Sequence, residues 1–507
     1  MDINVTRQAV CINEVIFDQS AEQAIDTDFS LPDYCPDIVR LLKCRIMPRL
    51  ASKNLAGDTL TVDGAAVATL IYADENNKIR SYEHEVPFQK AITVGSIETY
   101  KNISVNVNCD YMNSRAITSR RVELHGVLSL KTKIFGTVST DILTDIDCDG
   151  VQIKSGSCPA TNPIGFAEKT VVIEEELELG RGGSAIRSVI RSDARAVIDE
   201  SKIMGGKAVI KGDIIVNALY CTEEDTVGLY ENSVPFHQMV DIDVQGDDCV
   251  CNADADIMDC SLKPRTNLSG EAKSFALECK LCFSVTASCE NDIPVLYDAF
   301  GTQQNVELET ATLNFKKLSE RVNERHLCKK TLEFSEKSFG TVIDLWCENK
   351  VGQVKVTDGT LSVGGTSTIC LLCCDADGVP QYYERGVDFE YRKELDTDCC
   401  GMTADASIET VSSAYTILGN DRLEARIELS INAAVYSVRT KRVITGVNVT
   451  DSNDETKKRA PIMVYYAHSG EELWDIAKRY KACCCDIMSA NGLDCEELDD
   501  NKMLIIP

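Results

Sequence analysis

Residues 62–88 read VDGAAVATLIYADENNKIRSYEHEVPF, and this stretch decides the fold. An apolar-rich run from Gly64 meets the polar cluster Asp74-Glu75-Asn76-Asn77. A second run carries Tyr82-Glu83 and ends at Val86-Pro87-Phe88. Two runs of β-favouring residues around a short turn cluster predict a β-hairpin. The phrase returns twice. Ile210-Lys211-Gly212 opens DIIVNALYCTEEDTVGLYENSVPF, ending at Phe236. Val363-Gly364 opens GTSTICLLCCDADGVPQYYERGVDF, ending at Phe389. Tyr230-Glu231 and Tyr383-Glu384 repeat the Tyr-Glu pair. Counted from Gly364, the third copy is one residue longer than the others. The copies recur about 150 residues apart, which marks tandem domains rather than solenoid units of roughly 20–50 residues.

Working outward, each hairpin is followed by further alternating runs, beginning at Ile103, Ala255 and Ala406. Arg121-Val122-Glu123-Leu124-His125-Gly126-Val127-Leu128 shows the period of two expected of a strand with one buried face. The chain is therefore mainly β, with three tandem sandwich-like domains over 8–150, 168–310 and 328–450. SGSCPATNPIG, residues 155–165, reads as a joint between the first two. Helical signal is sparse, confined to Pro36–Leu42 and Ala185–Ala196.

The C-terminal stretch changes character. Residues 451–461 (DSNDETKKRAP) are polar and aperiodic, which predicts a linker. Residues 462–507 then read as a small βααβ unit. A strand over Met463–Ala467 precedes a helix with Leu473, Trp474, Ile476, Ala477 and Tyr480 on one face. Ser469 and Glu472 have capping-box spacing before it. A second helix fits Cys485–Asn491, and Met503-Leu504-Ile505-Ile506 closes the unit as a strand.

Composition excludes several classes. A net charge of −28, from 80 acids and 52 bases, opposes nucleic-acid binding, which needs a basic face. No apolar run is long enough to span a membrane. The N-terminal residues show no basic segment followed by an apolar one, so an intracellular protein with reduced thiols is expected despite 24 cysteines. Cys279/Cys282 and Cys370/Cys373 have Cys-x-x-Cys spacing, but both lie in strand-like runs. Residues three apart in a strand point to opposite faces, so neither pair predicts a zinc claw. No metal and no cofactor is expected. Gly180-Arg181-Gly182-Gly183-Ser184-Ala185 fits a dinucleotide-binding pattern, but Glu174-Glu175-Glu176 precede it where a buried apolar strand is needed. No nucleophile, zinc-protease or phosphate-loop motif appears, and the chain is read as non-enzymatic.

The phrase Gly470-x-x-Leu473-Trp474-x-Ile476-Ala477, with the terminal Leu504-Ile505-Ile506-Pro507, resembles the LysM family of binding modules. The three β domains, with their Val-Pro-Phe ends and Leu31-Pro32-Asp33-Tyr34-Cys35-Pro36-Asp37-Ile38 in the first copy, resemble the SPOCS domains of spore-coat proteins. The second and third copies lack the proline-bearing segment, and Val387-Asp388-Phe389 replaces Val-Pro-Phe in the third. The resemblance implies a coat-morphogenesis scaffold, made in the mother-cell cytoplasm of a spore former and localised at the forespore surface. It would bind the coat morphogenetic ATPase of stage IV sporulation through the LysM module, and other coat proteins besides. The partner-binding positions it implies are Ile462, Ser469, Gly470, Glu471, Glu472, Trp474, Asn491, Gly492 and Leu493. The alternative is a wall or cortex protein that binds the N-acetylglucosamine polymer of peptidoglycan. Against it, LysM glycan grooves usually carry Gly-Asp-Thr in the first loop, whereas this one has Gly470-Glu471-Glu472. The closing loop, usually Pro-Gly, is Asp499-Asp500-Asn501-Lys502. Unpaired carboxylates are costly to desolvate against a neutral sugar, and this module holds nine acids against four bases. A protein partner suits it better.

Overall fold

The structure is a computed structural model. It describes all residues except 1–3, 96, 98–101, 181–182, 245–248, 268, 334–338, 397–400, 420–421, 452–461 and 499. The proposed linker therefore lies almost wholly outside the described residues.

In the first copy, β1 (Asn4–Ser30), β6 (Arg121–Asp147) and β5 (Asn102–Ala116) form one antiparallel sheet, in that order. The second sheet is β2 (Arg40–Ala56), β3 (Thr59–Ala73) and β4 (Ile79–Thr93). The second copy repeats this plan. Its sheets are β7 (Val151–Glu178), β12 (Ala272–Gly301) and β11 (Val250–Thr266), then β8 (Ile186–Met204), β9 (Lys207–Thr222) and β10 (Val227–Asp241). So does the third, with β13 (Gln304–Glu333), β18 (Arg422–Asp451) and β17 (Met402–Ile417), then β14 (Phe339–Thr357), β15 (Thr360–Asp375) and β16 (Pro380–Glu394). The hairpin of the repeat phrase is β3–β4, β9–β10 and β15–β16.

Each copy is a two-layer sandwich. Leu60, Val62 and Leu70 of β3 face Val122, Leu124, Leu128 and Leu130 of β6 in the first core. Ile210 and Ile214 of β9 with Phe275, Leu281 and Phe283 of β12 fill the second. Leu361, Val363 and Leu371 of β15 with Leu423, Ile427 and Leu429 of β18 fill the third. The mainly β sandwich architecture expected from alternation is the one observed.

Register refines the repeat. Gly64 lies opposite Phe88 and Gly212 opposite Phe236, but in the third copy Gly365, not Gly364, lies opposite Phe389. The extra residue counted from the sequence therefore vanishes. Each of these glycines lies under the ring of its phenylalanine, where a Cβ would meet ring carbons within 3 Å.

Three further cores join the copies, the third being Leu143 and Ile146 of β6, Leu296 and Ala299 of β12 and Ile444 of β18. Residues 66–73 of β3 are buried on both faces. Leu70 and Tyr72 point into the sandwich, whereas Ile71 and Ala73 point outward. There they meet Leu219 and Cys221 of β9 and Cys370 and Leu372 of β15, with Trp346 of β14. Ile71, Leu219 and Leu372 hold the same position in the three repeats. The second joint is made by the long strands, which run past the sandwiches. Val10 and Ile142, then Cys158, Ile293 and Val295, then Phe315 and Val443 pack together there. Ion pairs span each interface between copies, among them Arg80–Asp225 at 2.8 Å, Arg191–Asp344 at 2.7 Å and Lys43–Glu384 at 2.8 Å.

Three local expectations are corrected. Residues 155–165 are not a joint but part of β7, paired to β12 apart from a bulge at Ile164. The chain passes between copies at Cys148–Gly150 and again near Thr302, and these turns bond each other: the Thr302 N–H donates to the Gly150 carbonyl at 2.8 Å. Residues 36–39 are irregular and β2 starts at Arg40, so no helix forms there. Residues 186–196 are strand β8. In both places pairing with β3 or β9 overrides local propensity.

Candidate binding site in the C-terminal module

The last unit is β19 (Met463–Ala467), α1 (Leu473–Tyr480), α2 (Cys484–Asn491) and β20 (Lys502–Ile506), with β19 and β20 antiparallel. Ala467, Leu473, Ile476, Ala477, Ile487, Leu504 and Ile506 form its core. The βααβ order expected from the sequence is present. The capping box is not. Glu472 is itself the N-cap of α1, with extended backbone and no side-chain cap hydrogen bond. Its carboxylate instead pairs with Lys154 of β7.

That ion pair is one of several contacts docking the module on the second copy. Trp474 is 5% exposed, because its ring packs edge-on against Phe300 of β12 with centroids 4.9 Å apart. The indole Nε1–H donates to Asp298 at 2.9 Å, and Lys478 Nζ donates to the same carboxylate at 2.6 and 2.7 Å. Burial pushes the Asp298 carboxyl up, but the hydrogen bonds from Lys478 and Trp474 together outweigh it and hold its pKa below the ordinary value. Cys483 Sγ lies 3.4 Å from Gln152 Oε1. Trp474 therefore anchors an intramolecular joint.

The other implied positions divide by what they touch. Glu471 accepts from the His468 N–H at 3.0 Å and from the Tyr465 hydroxyl, and these bonds hold its pKa below the ordinary value. Gly470 is exposed, with φ of 85°, a conformation that favours glycine. Its N–H donates to the Leu498 carbonyl at 2.9 Å. The Ser469 N–H donates to Asn501 Oδ1 at 2.8 Å. The two loops that would wall a glycan groove are thus bonded to each other. Asn491 is committed inward: its amide donates to the Ile487 and Ile505 carbonyls and accepts from the Ile505 N–H. Gly492 caps α2 in the left-handed conformation, and Leu493 packs half-buried on the core. Ile462 stands exposed at the start of β19.

Ile462 borders a surface that sequence reasoning missed. Val464 lies opposite Ile505, and Tyr466 opposite Met503, so the four share the outer face of the β19–β20 ribbon. All four are exposed, Tyr466 to 70%. The signal was legible: both strands are apolar at successive positions, more than a one-sided ribbon requires.

The geometry defines an array of β sandwiches carrying a small binding module. Residues 37–117 and 185–264 match the family described as SipL, SPOCS domain, and residues 465–507 match the LysM domain. These stretches, SPOCS domains followed by a C-terminal LysM domain, match a SipL-like architecture. The third copy lies outside the matched stretches but repeats the same sheets strand for strand. No curated protein and no solved structure matches the chain. SPOCS and LysM are non-catalytic binding domains, and together they point to a sporulation-associated protein with a binding role. The dinucleotide-like glycine run has no helix after it: Ala185 leads into strand β8, so no helix N-terminus stands ready for a phosphate. Among the described residues, no cluster of three or more metal-ligating side chains forms.

Proposed function

We propose that this protein is a non-enzymatic scaffold of spore-coat morphogenesis that docks on the coat morphogenetic ATPase of stage IV sporulation through its LysM module. In this reading it works in the mother-cell cytoplasm at the forespore surface, and its SPOCS array engages other coat proteins. The observation that carries it is the exposed apolar ribbon face of Val464, Tyr466, Met503 and Ile505, bordered by Ile462. A contiguous apolar patch of this kind suits a protein surface, with Tyr466 as its aromatic anchor. A glycan groove fares worse, because its loops bear carboxylates and Glu472 is already paired with Lys154.

The test compares full-length protein with a Tyr466→Ser/Ile505→Ser variant. Capture by the purified ATPase should weaken at least about tenfold, as loss of a hot-spot residue does. Co-sedimentation with peptidoglycan should be absent for both. Sedimentation with peptidoglycan, without ATPase capture, would instead make this a wall-binding protein.

A further inference from the structure

Strand register sets two pairs of cysteines directly opposite each other in the second copy. Cys260 of β11 faces Cys279 of β12. One step past the last ladder pair, Val250 with Ser288, Cys249 faces Cys289, and the two sulfurs are 3.0 Å apart. Directly opposed residues in an antiparallel ladder have Cα atoms about 4.5 or 5.5 Å apart, within the roughly 4.4–6.8 Å that a disulfide spans. Among the described residues, no other cysteines stand opposite each other in a ladder. Cys251 faces Ala287 and Cys282 faces Asp256, for example, and Cys347 faces Ile369.

Access differs between the pairs. Cys249 and Cys289 are both half-exposed, whereas Cys279 is buried behind half-exposed Cys260. β11 is the edge strand of its sheet, so cross-links to central β12 would secure the strand most free to peel away.

We propose that β11 and β12 form a two-rung oxidation site, at which a hydroperoxide converts Cys249–Cys289 and then Cys260–Cys279 into cross-strand disulfides. In each rung one thiolate attacks the O–O bond of hydrogen peroxide, giving a sulfenic acid, and the displaced hydroxide takes up a proton to leave as water. The opposed thiol then displaces hydroxide from that sulfur, which leaves as a second water and completes the S–S bond. Two thiols and one peroxide become one disulfide and two waters. Cys260 is the entry sulfur of the second rung. The Cys279 thiol donates to it, which lowers the Cys260 pKa, while that bond and burial push Cys279 up. In the structure all four thiols are free.

The experiment uses the full chain with Cys485→Ser and Cys495→Ser, which removes two exposed thiols able to link separate molecules. Reduced protein is titrated with hydrogen peroxide, its remaining thiols are alkylated, and peptides are mapped without reduction. The expected result is a Cys249–Cys289 linkage at the lowest dose and a Cys260–Cys279 linkage at higher dose. The oxidised form should also unfold several degrees higher. Cys289→Ser should abolish the first linkage and leave the second. Should Cys249 and Cys289 stay alkylatable while other cysteines oxidise, or link to different partners, the proposal is overturned. The mapping on unsubstituted Cys249 and Cys289 decides this even if the Cys289→Ser variant fails to fold.

Discussion

Arg191 and Asp344 hold the same position in two copies of one repeat, opposite Leu219 and Leu372, and they touch: the guanidinium donates to the carboxylate at 2.7 Å. Lys43 is the third member of the set, opposite Ile71. Equivalent residues of separate domains meet only where the domains gather about a common centre. Three identical copies would bring three like charges there. This chain has Lys, Arg and Asp instead, and Lys43 turns to Glu384. Sequence divergence between copies thus makes the centre electrostatically tolerable.

The pair is buried on both sides, and Arg191 also stacks on Trp346 at 4.5 Å from the ring centroid. Arg191 also pairs with the half-buried Asp193, so removing Asp344 leaves the buried guanidinium with that carboxylate and without its buried partner. Asp344→Ala should therefore destabilise the junction by about 1–3 kcal/mol, and the paired replacement Arg191→Met/Asp344→Leu by less, because Asp193 keeps Arg45. Urea unfolding followed by Trp346 fluorescence, with Trp474→Phe to remove the second signal, measures both. Equal losses in the single and paired variants would show that the ion pair does not organise this centre.

The joint between the LysM module and the second copy depends on Asp298, the acceptor for both Trp474 and Lys478. Asp298→Ala should free the module without touching its core. Trp474 emission should shift to the red and become accessible to iodide, read in a Trp346→Phe background. A buried, unshifted Trp474 in that variant would assign its burial to Phe300 alone.

The same carboxylate sets a pH dependence. Its folded pKa lies below the ordinary 3.8, so the joint is stabilised when Asp298 is ionised. That contribution is complete above pH 3.8 and is lost only as pH falls through the lower folded value. Trp474 emission should hold steady from neutrality down to about pH 4 and shift below it. Asp298→Asn should lack this step.

Most of the β architecture was legible because its signal is local. Alternation at Arg121–Leu128 and the recurring Tyr-Glu phrase need only neighbours to be read. What escaped was set by contacts between copies. Residues 66–73 lack alternation because Ile71 and Ala73 are buried in the three-way junction. Residues 155–165 look like a joint, yet β12 pairs with them along their length. Trp474 read as core packing or a partner anchor, and its neighbours on β12 are far away in sequence. No spacing rule reports such contacts.

The shift from Gly364 to Gly365 has a direct test in adjacent residues. A Cβ at Gly365 would lie 2.3 Å from the Lys350 carbonyl and 2.8 Å from the Phe389 ring, whereas at Gly364 nothing comes nearer than 3.8 Å. Backbone and a packed ring cannot both yield cheaply. Gly365→Ala should cost about 1–3 kcal/mol, the range for overpacking. Gly364→Ala should stay within about 0.5 kcal/mol. Thermal unfolding of the two variants separates them, and equal stability would refute the register-based alignment of the third repeat.

The proline-bearing loop of the first copy is held chiefly by Arg120, with the Tyr72 hydroxyl donating to the Pro36 carbonyl at 3.1 Å. Arg120 donates to the Leu31, Pro32 and Cys35 carbonyls, at 3.3, 2.6 and 3.1 Å, and to Asp37 at 2.7 Å. Ser119 Oγ donates to the other Asp37 oxygen, and the Ile38 N–H to the Ser119 carbonyl. Leu31, Cys35 and Ile38 are buried, while Tyr34 is 82% exposed. Arg120→Ala would leave the carbonyls without this donor and should loosen the loop. Arg120→Lys should recover little, because a lysine cannot fork across the loop. Hydrogen exchange at the Leu31 and Ile38 amides reads the effect directly: both should speed up in either variant while the β3 amides stay protected. Unchanged exchange at Leu31 and Ile38 would mean that burial of their side chains, not the arginine, fixes the loop.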